Sequence, residues 1–451
     1  MTTRPEVAPT PPMGWNSWDC YGTTVTEAEV LANAEFMAEH MLHAGWDTVV
    51  VDIQWYEPTA RAGGYNDSPP VELDGYGRQV PAVNRFPSAA AGAGFGPLAD
   101  AVHALGLKLG VHVMRGIPRR AVELDLPVLG TSSTARDVAD TSSVCSWNPD
   151  NYGLDHSHPG AQAYYDSQVA QLVAWGVDLI KADDMLAPYH DAEIAAYARA
   201  IERAVASPAR GGRPVVLSLS PGTHLSTAHL PHLRENATMW RVSDDLWDRW
   251  EDVRAQFTRM ARWAPHQRPG AWADADMLPL GRIGIRAERG EDRPSRLTGD
   301  EQRTLLTLWC VSRSPLMMGG DLPTTDPGTI AMLTHRDLIE LLQHSTDGQE
   351  VLREGDLVVW TARGTSGGAD GARYVAVFWT GDEPTTVRLP ASSVGLPTVP
   401  GSRGTELWTG DDVTTTPAQG PTTSQAELVL DVPAHGVRLV RADHPGTTSQ
   451  H

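Results

Sequence analysis

The sequence predicts an eight-stranded β/α barrel followed by an antiparallel β-sandwich domain. Three observations carry that prediction. From about residue 10 to 345, short apolar runs alternate with helical patterns, as parallel strands with crossover helices require. Several of those runs end in polar or aromatic residues: Asp52 to Trp55, His112, Asp183, Ser220 and Asp245. In a barrel such strand ends converge on one face, where the site lies. Beyond about residue 348 helical patterns stop and short strand-like runs separated by turn residues take over.

The strands follow in order. MGWNSWD supplies the first, then DTVVVDIQW (47–55), LKLGVHVM (107–114), VDLIKADD (177–184), PVVLSLS (214–220), ATMWRVSDD (237–245), GAWADADML (270–278) and PLMMGGD (315–321). The helix after the first strand opens with Thr26 and Glu29 in capping-box spacing and closes at Gly45. Further helices are expected at GPLADAVHALG, GAQAYYDSQVAQLVAWG, DAEIAAYARAIERAV and GDEQRTLLTLWCV, the last behind a second capping box, Thr298 with Glu301. A doubly wound nucleotide-binding sheet competes with the barrel, but neither GxGxxG nor GxxxxGKS follows the first strand. The charged stretch 284–301 is expected to be an exposed loop. The barrel domain is placed at 1–347 and the β-domain at 348–451. Strands there are expected at 356–363, 373–380, 385–390, 404–410, 426–432 and 436–442, with a disordered tail after Asp443.

Composition limits the partners. The formal net charge of −20 opposes nucleic-acid phosphates and anionic membrane surfaces. No run approaches the roughly 20 apolar residues that span a bilayer, and the N-terminus has no signal-peptide core, so a cytoplasmic location is expected. Three scattered cysteines, Cys20, Cys145 and Cys310, make neither a disulfide framework nor a zinc spacing and read as packed thiols.

Only two lysines occur, Lys108 and Lys181, and the second stands beside Asp183 and Asp184. Cleaving a glycosidic bond takes two flanking carboxyl groups, about 5–5.5 Å apart when configuration is retained. Asp183/Asp184 and Asp244/Asp245 are the candidate pairs. Side chains alternate along a strand, so Asp183 shares a face with Lys181, while Asp184 points away. Arg241 precedes Asp245 by four and shares its face. N-caps or solvated loop ends are the ordinary uses of adjacent aspartates. A same-face cation beside each pair shifts the balance toward chemistry.

MGWNSWDCYG, HAGWDTVVVD, GLKLGVHV, HPGAQAYYDSQ, WGVDLIKADD, WRVSDDLWDRW, PGAWADADMLPLG and SPLMMGGDL resemble, in order, the motifs of glycoside hydrolase family 27, the retaining α-galactosidase and α-N-acetylgalactosaminidase family. The resemblance implies a barrel plus β-domain, a carbohydrate substrate, and no metal or cofactor. It makes Asp183 the nucleophile, in K-x-D, and Asp245 the acid/base, in R-x-x-x-D, with Trp250 five residues on fixing the register. It makes Lys181, Trp18, Asp52, Arg241 and Asp276 sugar-binding groups, Asp276 alternatively structural. Gln54, Trp55, His112 and Ser220 stand at further strand-end positions where substrate contact is expected, and Tyr56 could add an aromatic wall.

Three departures bear on the sugar. Family galactosidases usually carry two consecutive acids after the second strand, holding O4 and O6 of galactose; here Ile53 follows Asp52. His112 replaces the usual tyrosine, and Ser220 a frequent glutamate. An exo-acting galactosidase is the leading expectation. β-L-arabinopyranosidase, α-N-acetylgalactosaminidase and isomaltose-releasing dextranase are alternatives on the same chemistry. A non-catalytic sugar-binding barrel, and a metal-dependent hydrolase using His156 and His158, are readings of other classes. Oligomeric state is open, a homo-oligomer among the possibilities.

Overall fold

The computed structural model describes residues 7–206, 213–365, 371–418 and 425–442. The tail expected to be disordered after Asp443 lies outside them. The chain divides into two compact units. One comprises Met1–Leu246, Arg268–Ser295 and Leu316–Ile330; the other comprises Trp247–Gln267, Arg296–Pro315 and Ala331–His451.

The first unit contains eight parallel strands: β1 (Met13–Asn16), β2 (Thr48–Val51), β3 (Lys108–Met114), β4 (Leu179–Asp183), β5 (Val216–Leu219), β6 (Met239–Arg241), β7 (Trp272–Asp274) and β8 (Leu316–Met318). They neighbour one another in chain order, with β8 beside β1. A parallel bridge between Leu278, just past β7, and Met318 of β8 joins the two ends of that order. The sheet therefore closes into the expected barrel. Gly14 shows how tightly β1 lies on β2: a Cβ there would sit 2.3 Å from the Thr48 carbonyl oxygen.

The longer helices of this unit include α1 (Glu27–His40), α2 (Gly96–Ala104), α3 (Pro159–Ala174), α4 (Asp191–Val205) and α5 (Leu230–Asn236). The box read at Thr26 is formed: its side chain accepts the Glu29 amide and Glu29 reaches back to the Thr26 amide at 3.0 Å. The stretch 284–301 is more structured than an exposed loop. Arg282–Ile283 and Arg293–Pro294 pair as a short ribbon, and Ala287 is buried. The reason is local pairing: Arg282 also binds Asp292 across the ribbon.

In the second unit, α6 (Trp250–Trp263) and α7 (Gly299–Ser312) accompany the antiparallel strands. Strands β9 (Ser345–Glu354), β10 (Leu357–Gly364), β11 (Arg373–Trp379), β13 (Arg403–Glu406), β14 (Asp412–Thr414) and β17 (Val437–Ala442) form one sheet. A second, smaller sheet contains β12 (Thr385–Pro390), β15 (Thr416–Pro417) and β16 (Ala426–Val432). Alternate residues of both sheets, including Val375, Val377, Leu389, Leu428 and Val440, fill one apolar core, the arrangement of a β-sandwich.

Candidate active site

The strand ends of the first unit assemble a charged, mostly buried cluster. Asp183 closes β4, and its Oδ2 lies 3.0 Å from Nε2 of His112 on the neighbouring β3. His112 pairs with Lys181 in the sheet register, so both side chains stand on the barrel-interior face of adjacent strands. Burial pushes the Asp183 carboxyl up, but the His112 hydrogen bond, the nearby Lys181 and the Asp184 amide outweigh it. The group is held well below the usual carboxylate range. An acid so held is ionised at neutral pH, the state a nucleophile needs.

Asp184 goes where strand alternation sends it. Arg115 grips it through Nη2 at 2.7 Å and Nε at 3.0 Å. The adjacent carboxylates are thus not equivalent. The second pair divides the same way: Asp245 accepts from Arg241 Nη1 at 2.9 Å, whereas Asp244 is exposed and turns to Thr223.

Asp52 follows β2 and accepts from Lys181 Nζ and from Asn16 Nδ2, both at 2.7 Å. Its carboxyl is lowered overall: burial raises it, and Lys181 and His112 more than offset that. Lys181 is thereby bound to a buried acid, while its charge also acts on Asp183. Arg241 is shared as well. Its Nε lies 3.1 Å from Asp276 Oδ1, while Asp276 Oδ2 accepts the Leu246 amide at 2.7 Å. Asp276 is 1% exposed and adopts a φ of 90°, in the left-handed region. Its own amide is held by Asp274 Oδ1.

Trp18 is buried and stacks on Tyr65, with ring centroids 6.0 Å apart and planes at 21°. Its Nε1, the Ser220 hydroxyl and Arg241 Nη2 are buried without a hydrogen-bond partner among the described residues. Polar groups left so are costly unless a ligand or water satisfies them. Three such groups on three different strand ends mark this face as a polar binding site.

Three expected contacts take other positions. Trp55 does not wall the site: it is 1% exposed, donates to the His112 carbonyl at 2.7 Å and packs edge-on against Phe95 and Trp175. An indole with its N–H satisfied inside an aromatic cluster is core. Tyr56 and Gln54 both bind Asp150, Gln54 through Nε2 at 2.8 Å, and so hold the loop after β3 rather than presenting free donors. His156 and His158, the candidate metal ligands, separate: His158 caps α3 through the Gly160 amide, and His156 lies 2.9 Å from Glu193.

Sequence reasoning misses Asn16, Tyr65 and Arg115, and also Asp19, a buried carboxyl pushed well up by burial and by the charges of Asp276 and Asp245. Asn16 and Asp19 lie inside the MGWNSWD stretch, so a signal is present there without an assignment to either residue. Arg115 follows β3 by one residue, and strand parity could have paired it with the outward Asp184. Tyr65 lies in a long loop with no local pattern around it.

A closed barrel whose strand ends gather two separated carboxylates, each with its own cation, defines a class: the barrel hydrolases that cut glycosidic bonds between two acids. Comparison with known proteins narrows the class. A family model described as α-galactosidase A matches residues 150–344, and one for the α-galactosidase C-terminal β-sandwich domain matches 354–442. A solved family 27 β-L-arabinopyranosidase from Geobacillus stearothermophilus shares 45% identity, with a TM-score of 0.91 and 99% of each chain covered. α-Galactosidase 2 of Arabidopsis thaliana is 24% identical over 406 residues, 89% of this chain and 83% of that protein. The α-N-acetylgalactosaminidase of Gallus gallus is 28% identical over 370 residues, covering 77% and 74%. The chain belongs to glycoside hydrolase family 27.

Proposed function

We propose that the chain is a retaining exo-glycosidase whose preferred glycone is a β-L-arabinopyranosyl residue. Asp183 attacks the anomeric carbon, the bond to the leaving oxygen breaks, and Asp245 gives that oxygen its proton. Water then attacks the glycosyl ester, Asp245 takes the water's proton, and Asp183 departs as carboxylate. The low-lying Asp183 supports its role as the nucleophile, and Asp245, held by Arg241 at another strand end, is the second carboxyl that the reaction needs.

The observation that carries the choice of sugar is Ile53 beside Asp52. L-Arabinopyranose has the ring hydroxyl arrangement of galactose without the exocyclic hydroxymethyl group. Asp52 remains to meet the ring hydroxyls, anchored by Lys181 and Asn16. At the position where family galactosidases place an acid for O6, a buried isoleucine offers no partner. An unpaired hydroxyl costs about 1–3 kcal/mol, roughly 10- to 100-fold. The 45% identity to a β-L-arabinopyranosidase supports the same reading.

The test is a panel of nitrophenyl glycosides. Expected is kcat/KM for the β-L-arabinopyranoside at least about tenfold above the α-galactoside, with Ile53→Asp narrowing the ratio. A galactoside preference in the wild type would overturn the sugar assignment. Asp183→Ala should keep its fold and lose turnover; near-normal activity in it would remove Asp183 from the mechanism.

A further inference from the structure

Stacked on Trp18 at the site is a second aromatic, and on that a third. Tyr65 and Trp147 have centroids 5.9 Å apart with planes at 43°. The three rings run from buried to open: Trp18 is 4% exposed, Tyr65 is half-buried and Trp147 is 38% exposed. Trp18 stands at the catalytic end of this line, with Tyr65 next to it. Burial pushes the Tyr65 hydroxyl well up, and the charges of Asp183, Asp245, Asp52 and Glu288 push the same way.

Both outer rings come from loops that are tied down. The Tyr65 loop is held by the Gly63 amide on the Ala287 carbonyl at 3.2 Å, by Thr23 Oγ1 on the Arg61 carbonyl at 3.0 Å and by Asn66 on Glu57 at 2.7 Å. The Trp147 loop is anchored by Asp150, whose carboxylate binds Gln54 and Tyr56 after β2. The Asp150 amide in turn donates to Oδ1 of Asn148, beside Trp147, at 2.9 Å. An exposed indole on an immobilised loop costs little entropy to use. The leaving group of an exo-cleaved glycoside lies on the solvent side of the glycone, and the ring series opens toward solvent at Trp147.

We propose that Tyr65 and Trp147 form the platform for the leaving group, receiving a ring, pyranose or aryl, by its flat apolar face. This rests on the exo-glycosidase reading and adds the class of aglycone to it. Sugar and aryl rings both present such a face, and stacking is indifferent to their polar edges. The platform acts only while the leaving group is attached. It therefore bears on the first chemical step and not on hydrolysis of the glycosyl ester, when the leaving group has gone.

The test compares 4-nitrophenyl β-L-arabinopyranoside with β-L-arabinopyranosyl fluoride, whose leaving atom is too small to reach Trp147. Trp147→Ala should lower kcat/KM for the nitrophenyl glycoside about tenfold more than for the fluoride, and Trp147→Phe should restore part of the difference. Equal losses on both substrates, or none on either, would overturn the platform. An arabinopyranosyl disaccharide added as a third substrate separates the ring types: a loss matching the nitrophenyl one supports a pyranose, a smaller one an aryl group. Wild-type enzyme that turns over the fluoride while Trp147→Ala is flat rejects the platform alone. Wild-type enzyme inert to both this fluoride and α-galactosyl fluoride rejects the glycosidase reading, and the platform with it.

Discussion

At the residue scale, Asp276 is the most constrained group of the site. A φ of 90° costs an aspartate on the order of 1–3 kcal/mol. Both its oxygens are committed, one to Arg241 and one to the amide of Leu246, the residue after Asp245. Asp276 thus fixes Asp245 from two sides, through the cation that binds it and through the backbone that carries it. Asp276→Asn is expected to lower kcat/KM about 10- to 100-fold while the far-ultraviolet dichroism stays unchanged. A wild-type rate in that variant would reduce Asp276 to packing. The pH dependence has a definite sign. Burial, with Asp245 and Asp274 adding to it, pushes Asp276 up to about 7 against the pull of Arg241. A group raised on folding contributes stability that is complete below its unfolded value, about 3.9, and is lost as pH rises through its folded value. Between those limits the wild type should lose Tm, relative to Asp276→Asn, as pH rises. At this scale the sequence is informative where strand parity decides: it separates Asp183 from Asp184 and Asp245 from Asp244. It is silent where a loop decides, as at Tyr65, or where a free-looking indole is absorbed by its neighbours, as at Trp55.

At the scale of elements, all eight barrel strands and both capping boxes are legible in the sequence, because apolar runs and caps are local patterns. Strand ends read up to four residues too far, although 107–114 stops with its strand at Met114. The stretch 237–245, for example, pairs only over Met239–Arg241. The excess is extended chain that has left the ladder to carry polar side chains into the site. Not legible are α6 and α5, and β9, a strand in which only alternate residues are partly covered. The box at α7 gives a clean test. Thr298 Oγ1 accepts the Glu301 amide, and the Thr298 amide donates to Glu301 Oε2 at 2.7 Å. Thr298→Ala should cost about 1 kcal/mol and lower Tm by roughly 2–4 °C in a unit of this size. Glu301→Ala should cost more, because Glu301 also binds His435 at 2.8 Å. Equal losses in the two variants would mean the His435 contact adds nothing.

At the scale of the whole molecule, the excess of acid governs the electrostatics. The formal charge is −20, with 56 acidic residues against 36 lysines and arginines. The site uses part of it, since Asp52, Asp183, Asp245 and Asp276 share two cations, Lys181 and Arg241. About half of the remainder among the described residues is exposed, as at Asp244, Asp382 and Asp412, and those charges repel one another across the surface. Unfolding spreads them apart, so the repulsion acts against the native state. Salt shortens its reach, to about 10 Å at 0.1 M. Raising sodium chloride from about 0.05 to 0.5 M at about pH 8 should therefore raise Tm by a few degrees. Near the isoelectric point of about 5.2 the acids and bases balance and the same salt step should do little. Sodium chloride is a weak Hofmeister salt, so a rise of equal size at both pH values would point to a general effect on burial rather than to charge. A fall at about pH 8 would mean that the attractive pairs screened by salt, such as Arg203 with Asp166 and Arg282 with Asp292, outweigh the repulsion.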